Sequence, residues 1–326
     1  MRPGVLALGA IVPGMTAGEA LAVIAPLFFL LAIVIIEFHI RRERANQVNN
    51  ETHYLSLPKT PFDAQDQDYE HQLVTYRRDF VKVKLVQKQE LTHNATLFVF
   101  QLPVKASLLM FPGHHVVLRR RIKNQVIVRP YTPVTSLVRY FGSGATDDNV
   151  LQSVNLNGTV ALAVNRYRAG AMSSWLHDSL NIGDTVEMMG PMGGFYYYPN
   201  EYDSIGMIAG GTGITPILSV IMTALSNSTD KTKLSLIYAS SSERDVIFRD
   251  ELLQLSHKFP DRFSMHMTNG SGRINRALLR EHLRPPSDSN QVLICGPTGF
   301  ATAVQTMLRK ENYSEHSVFT FGETDK

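Results

Sequence analysis

Arg129-Pro130-Tyr131-Thr132-Pro133 closes a short apolar stretch that starts at Gln125, and it puts a fixed cation, an aromatic face and a small hydroxyl side by side at a strand end. That trio suits the phosphate, the ring and the reactive nitrogen of a bound flavin. About eighty residues further on, Gly210-Gly211-Thr212-Gly213-Ile214-Thr215-Pro216 follows one predicted strand and opens a predicted helix. Such a turn leaves backbone N–H groups bare toward a second phosphate-bearing ligand. A glycine-rich turn alone is a weak signal, and an R-x-Y-T run can simply cap a barrel strand. The two in this order point to a flavin and a nicotinamide nucleotide.

The flanking sequence supplies a frame for each motif. Around the first, six short alternating stretches, Phe80 to Gln87, Thr96 to Leu102, His115 to Arg121, Gln125 to Arg129, Thr159 to Val164 and Thr185 to Met189, predict a small antiparallel barrel. Ser136 to Asn157, with its glycines and aspartates, is left unassigned as a loop. After Tyr202 the rhythm becomes strand, helix, strand, helix. Ser204 to Ala209, Lys233 to Ala239, Arg262 to Thr268, Gln291 to Cys295 and Ser317 to Phe321 are candidate strands, with helices starting near Ile214, Asp245, Ile274 and Gly299. That alternation predicts a parallel sheet with helices on both faces. The expected domains are 1–40 (tail and anchor), 41–77 (linker), 78–200 (six-stranded antiparallel flavin barrel) and 201–326 (five-stranded parallel, doubly wound nucleotide domain).

A chain of 326 residues, 44% apolar and 19% charged, is long enough for two domains with separate cores. A net charge of +3 is too small to argue for nucleic acid. Cys295 is the one cysteine, which excludes a disulfide framework, a cysteine-ligated zinc site and an iron–sulfur module. Near the start, Ala20 to Ile36 is a run of 17 uncharged residues, about 26 Å of helix at 1.5 Å per residue. It nearly spans a bilayer core and lacks a cleavage site, so an uncleaved single-pass anchor is expected, touching membrane lipid. Its basic flank, Arg41 to Arg44, places the large domain in the cytosol, on the endoplasmic reticulum or the outer mitochondrial membrane. Six N-x-S/T sites, Asn94 among them, are therefore expected to stay unmodified.

R-P-Y-T-P in a barrel, A-G-A-M-S-S-W-L at Ala169 to Leu176, G-P-M-G-G at Gly190 to Gly194, G-G-T-G-I-T-P and C-G-P at Cys295 to Pro297 together resemble a ferredoxin-reductase-type flavoprotein. Within that superfamily the sequence is most similar to membrane-anchored NADH-cytochrome b5 reductases, over roughly Asp79 to Phe321. The resemblance implies FAD and NADH as cofactors and cytochrome b5, or a similar acidic haem protein, as electron acceptor. It implies that Arg129, Pro130, Tyr131 and Thr132 hold the flavin, with Arg129 on its phosphates, Tyr131 on the ring and the Thr132 hydroxyl near the reactive edge. Gly170, Met172 and Ser173 would present N–H groups to the FAD pyrophosphate. Gly210, Gly211, Thr212 and Gly213 would receive the NADH pyrophosphate, with Thr215 near both cofactors. Cys295, followed by Gly296 and Pro297, would sit against the nicotinamide, so Thr132 and Cys295 are the candidate catalytic residues. Asp245 matches the family's NADH-selecting aspartate, although three serines and Arg244 beside it keep NADPH open and Asp245 can equally be a helix N-cap. Ala171 and Thr298-Gly299-Phe300 depart from the family's lysine and Pro-Pro-Met.

No metal site is expected. His114 and His115 are read as barrel residues, and no H-P-G-G haem motif occurs. The Arg119, Arg120, Arg121 and Lys123 cluster suits either an acidic acceptor or a solvated edge that discourages strand pairing. Two competing functions remain at this stage: a membrane quinone or ferric-chelate reductase with the same flavin chemistry, and a non-catalytic nucleotide-binding membrane scaffold.

Overall fold

The computed structural model describes residues 79–103, 108, 110–142, 158–268, 270 and 273–322. The expected anchor and linker lie outside them, and among the described residues no helix is long and apolar enough to cross a membrane.

Six antiparallel strands form the first sheet: β1 (Val81–Thr92), β2 (Ala95–Gln101), β3 (His115–Ile122), β4 (Gln125–Tyr131), β5 (Thr159–Asn165) and β6 (Thr185–Met192), in the order β4-β3-β6-β1-β2-β5. β3 and β4 are joined by Lys123 and Asn124, both at positive φ, as a two-residue hairpin turn requires. β1 runs five residues past its expected end at Gln87. Register shifts at Leu85/Gln87 and Glu90/Thr92 break its alternation, so the strand outlasts the pattern that marks it. The two edge strands meet at a seam. Just after β4, Pro133 bridges Leu162 of β5, Val134 N donates to Ala161 O at 2.8 Å, and Ala161 N donates to Thr135 Oγ1 at 3.0 Å. R-P-Y-T-P is therefore the segment that closes the barrel.

Helix α1 (Thr135–Gly142) follows, where the sequence was expected to form a loop. Leu137, Val138 and Phe141 fall on one helical face and are buried, and α1 packs on a helix of the second domain. Only about two turns of pattern were available there, too little to stand out among the glycines that follow. Helix α2 (Ala171–Asp178) lies between β5 and β6.

The second sheet is parallel: β7 (Ser204–Gly210), β8 (Lys233–Ala239), β9 (Phe263–Met267), β10 (Asn290–Cys295) and β11 (Val318–Thr320), in the order β11-β10-β7-β8-β9. The connecting helices are α3 (Ile214–Ser226), α4 (Arg249–Lys258), α5 (Arg276–His282) and α6 (Thr298–Lys310). α4 starts at Arg249 and not near Asp245, which instead ends a single 3-10 turn (Glu243–Asp245); Phe248, in the left-handed region, separates the two.

The expectation of separate cores is corrected by the packing. Phe98, Phe100, Val160, Leu162 and Val164 fill the barrel, but their neighbours on the opposite face, Leu97, Val99, Ala161 and Ala163, join Ile205, Ile217 and Ile221 of the second domain in one cluster. β5 is buried along its whole length and β2 along all but its last residue. A strand covered on both faces reads as a continuous apolar run, which hides the second interface from any alternation rule.

Candidate functional site

The seam sets the first half of the site. Arg129, Pro130 and Tyr131 pair with Leu118, Val117 and Val116 of β3, so their side chains alternate at the open end of the ladder. Arg129 and Pro130 are exposed, while Tyr131 and Thr132 are half-buried. The Arg129 guanidinium donates to the neighbouring Val128 carbonyl at 2.7 Å and has no carboxylate partner among the described residues. Tyr131 leans on the barrel core, and burial holds its phenol well above the ordinary value, opposed by the Arg129 charge. It stays neutral at any physiological pH.

α2 brings the next group of expected residues. Gly170 is its N-cap and carries no side-chain cap, so the first N–H groups of the helix are left for another acceptor. A Cβ at Gly170 would meet Ser173 Oγ at 2.4 Å. Ser173 is not the N-cap; its hydroxyl accepts from Tyr167 N at 3.2 Å and donates to Gly170 O at 3.2 Å, pinning the entry of the helix. Met172 sends its side chain into the barrel core, so only its backbone can serve a ligand. At the other end, Lys88 Nζ donates to the carbonyls of His177 (2.6 Å), Leu176 (3.3 Å) and Leu180 (3.4 Å). A cation on the negative end of a helix satisfies its last carbonyls and fixes its axis. Lys88→Met is expected to lower unfolding stability by about 1–2 kcal/mol, read in urea titrations, and to loosen whatever α2 holds at its other end. Burial pushes the His177 imidazole below its ordinary pKa, so Lys88 faces no competing cation there.

The second half of the site lies at the switch point of the parallel sheet. β7 and β10 are neighbours, their chains leave in opposite directions, and Ala209 pairs with Cys295. The crevice at such a point is where open α/β sheets bind ligands. Gly210, Gly211, Thr212 and Gly213 turn from β7 into α3 there, with Gly211 at φ +56. A Cβ on Gly213 would lie 2.2 Å from Cys295 O and 2.8 Å from Gly296 N, so the absence of a side chain is what seats the glycine turn on Cys295-Gly296-Pro297. Phe300, where the family pattern has another residue, packs on Gly210 and Gly296. Thr215 is buried and spends its hydroxyl on Thr212 O at 3.1 Å, which tightens the turn. Burial pushes the Cys295 thiol up to about 12. Cys295 is thus a neutral, packed thiol, and iodoacetamide labelling of the folded protein is expected to stay slow up to about pH 9; rapid labelling at pH 7.5 contradicts this reading.

Two residues absent from the sequence expectations stand at the junction, and one of them links the halves. Tyr167, just after β5, places its Oη 3.0 Å from Thr212 Oγ1, joining the barrel rim to the glycine turn. Asn165, the last residue of β5, is buried, and its Oδ1 has no hydrogen-bond partner among the described residues. Neither stands in a recognisable motif; only the fold shows them. Asp245 also lies between the domains. Its Oδ1 accepts from Asn94 Nδ2 at 3.0 Å, with His93 Nε2 at 3.4 Å, and its Oδ2 accepts from Ser242 Oγ at 2.7 Å. The N-cap alternative for Asp245 is not what the fold shows, since α4 starts four residues later with Phe248 as its cap.

Segment 82–142 with 148–197 matches the oxidoreductase FAD-binding domain, and 207–306 matches the oxidoreductase NAD-binding domain. NADH-cytochrome b5 reductase 1 of Dictyostelium discoideum is 35% identical over 254 residues, 75% of this chain and 82% of that protein. The chain belongs to the NADH-cytochrome b5 reductase family. Human NADH-cytochrome b5 reductase 2 is 32% identical over 273 residues, covering 73% of this chain and 92% of that protein. The solved cytochrome b5 reductase domain of Ulva prolifera nitrate reductase superposes with a TM-score of 0.65 at 28% identity, over 76% of this chain and all of that one. The residues present fit the FAD and NADH of such reductases: an uncapped helix N-terminus, a cation without a carboxylate partner, a buried orphan amide oxygen and a glycine turn open toward solvent at Gly211.

Proposed function

We propose that this protein is an NADH-dependent, FAD-containing reductase that passes electrons singly to cytochrome b5. The observation that carries the reading is the direct junction of the two nucleotide-binding halves: Tyr167 touches Thr212, and one continuous apolar cluster fuses the barrel to the parallel domain. A rigid junction fixes the approach of two ligands at no further entropic cost. When bound, FAD supplies the chemistry, accepting a hydride from NADH and releasing electrons one at a time.

The chain's own residues bind and orient. Arg129 pairs with phosphate oxygens, which a guanidinium meets bidentately. The α2 N-terminus would offer the Met172 and Ser173 N–H groups to the pyrophosphate, whereas the expected Gly170 N–H is spent on Tyr167 O at 2.8 Å, and neutral Tyr131 presents its ring as a packing face. Pro130 holds the strand end extended between them. Thr132 would supply a hydroxyl to the flavin ring. Gly210 to Gly213 receive the second pyrophosphate at the switch point, while Thr215 braces the turn. Cys295, Gly296 and Pro297 would form a wall for the nicotinamide. The anaerobic test is direct: the yellow protein bleaches with NADH and recovers its colour with ferric cytochrome b5. A protein without flavin, or one that NADH leaves coloured, ends this reading and favours a scaffold. Turnover of a quinone or ferric chelate without cytochrome b5 turnover redirects it to the other acceptors.

A basic face supports an acidic acceptor. Lys82, Arg120, Arg121 and Lys123 surround an open cleft of about 460 Å³. Arg119 is neutralised by a two-bond pair with Glu187 across β3 and β6, and Arg120 stacks on Trp175 of α2, 4.9 Å from the ring centre. Arg121→Glu combined with Lys123→Glu is expected to lower kcat/KM for cytochrome b5 about tenfold at low salt, with the loss shrinking as salt rises. Turnover with a neutral quinone serves as the control and stays unchanged.

The Ala20–Ile36 run supports a single-pass anchor with the catalytic body in the cytosol, on the endoplasmic reticulum or outer mitochondrial membrane. Resistance to carbonate extraction, with the body open to added protease on sealed vesicles, is the expected result.

A further inference from the structure

We infer that Asn94, in the β1–β2 turn of the flavin barrel, is the positioning residue that aims Asp245 and thereby sets the preference for NADH over NADPH. The inference rests on the reading of Asp245 as the carboxylate that meets the adenosine ribose.

The geometry leaves the Asn94 amide a single orientation. Its Oδ1 accepts from the Thr92 hydroxyl at 2.9 Å and its Nδ2 donates to Asp245 Oδ1 at 3.0 Å, so turning the amide over would set a carbonyl oxygen against a carboxylate. The backbone is fixed too: Arg166 N donates to Asn94 O at 2.7 Å, and Thr92 Oγ1 accepts from Ala95 N at 3.1 Å. On the far side Ser242 Oγ holds Oδ2 at 2.7 Å. The carboxylate is therefore clamped between a residue of the nucleotide domain and one of the barrel.

A carboxylate has about four acceptor positions. Asn94 and Ser242 take one on each oxygen, and His93 Nε2 stands 3.4 Å from Oδ1, so the position left for a ribose hydroxyl without competition is on Oδ2. Asn94 and Ser242 are neutral donors, so their two bonds leave in place the negative charge that repels a 2′-phosphate. Arg244 and three serines belong to the same loop, residue types that a 2′-phosphate would favour were the carboxylate turned away. Selection then depends on where Asp245 points as much as on its presence, and the pointing is shared between Ser242 of its own loop and Asn94 of the other domain.

The test compares kcat/KM for NADH and NADPH in the flavin-replete enzyme. Asn94→Ala is expected to lower the NADH/NADPH ratio about three- to tenfold, the modest end for a hydrogen bond to a charged group because the site is half-exposed. The change should appear in KM for NADH, with kcat and flavin content unaltered; a merely structural role would lower turnover with both coenzymes together. Asp245→Ala should lower the ratio further, and adding Asn94→Ala to it should change nothing more. An unchanged ratio in Asn94→Ala, while Asp245→Ala shifts it, overturns the role of Asn94. An unchanged ratio in Asp245→Ala overturns the underlying reading of Asp245, and the inference with it. Thr92→Val, which releases the amide without emptying its place, gives a second and milder check: the ratio must fall by about twofold, and no change in that folded variant also overturns the inference.

Discussion

Gly213→Ala is expected to lower kcat/KM for NADH about a hundredfold, because a displacement of about 1 Å at a transfer site is enough for such a loss. The added Cβ would sit 2.2 Å from the carbonyl oxygen and 2.4 Å from the carbonyl carbon of Cys295. Both are backbone atoms at a strand end, so no side chain can turn aside, and either β10 or the start of α3 must move. Gly213 has φ −60, so the substitution creates no backbone strain of its own and the effect is one of space alone. Overpacking of this kind costs about 1–3 kcal/mol of stability. Gly211→Ala supplies the contrast: φ is +56 but nothing lies within 4 Å of the added Cβ, so the cost is about 1–2 kcal/mol of left-handed backbone strain with the pocket walls still in contact. Stopped-flow reduction by NADH and urea unfolding of both variants check the pair. Wild-type reduction rates in Gly213→Ala would show that the glycine turn and the C-G-P segment do not meet as described.

Arg129→Gln is expected to weaken FAD binding to the apoprotein about tenfold to a hundredfold, the range of one or two charge-assisted hydrogen bonds. Arg129 makes no ion pair among the described residues, and its one internal bond is to the adjacent Val128 carbonyl. Stability of the apoprotein should therefore hardly change, which separates loss of a ligand contact from loss of fold. Arg129→Lys should recover part of the affinity, since it restores charge without the planar fork. Fluorescence titration of apoprotein with FAD reads all three. A glutamine variant that binds flavin as tightly as the parent would remove Arg129 from the site.

Most strands were legible because local and tertiary demands agree. Lys233 to Ala239 is bounded in the structure as its pattern predicts, and the glycine turn marks the start of α3 at Ile214. What stayed hidden has particular causes. α1 is eight residues long and its apolar face answers to a surface supplied from far along the chain. The double-sided burial of β2 and β5 leaves a run of apolar residues that names no partner. Within the site, glycines and R-P-Y-T-P declared themselves because few residue types meet their requirements. Lys88, Asn94, Asn165 and Tyr167 did not, since each works through a partner more than forty residues away or, for Asn165, through an atom with no partner in the described chain.

The barrel seam has a consequence for the protein's life in a cell. Among the described residues, the segment just after β4 is held to β5 by one bridge and two hydrogen bonds next to the flavin-binding run. A ligand that binds only the closed form stabilises it by RT ln(1 + [L]/Kd). Cofactor supply therefore becomes a folding variable: the apoprotein lacks this contribution, and its unfolding midpoint is expected to rise as FAD is added.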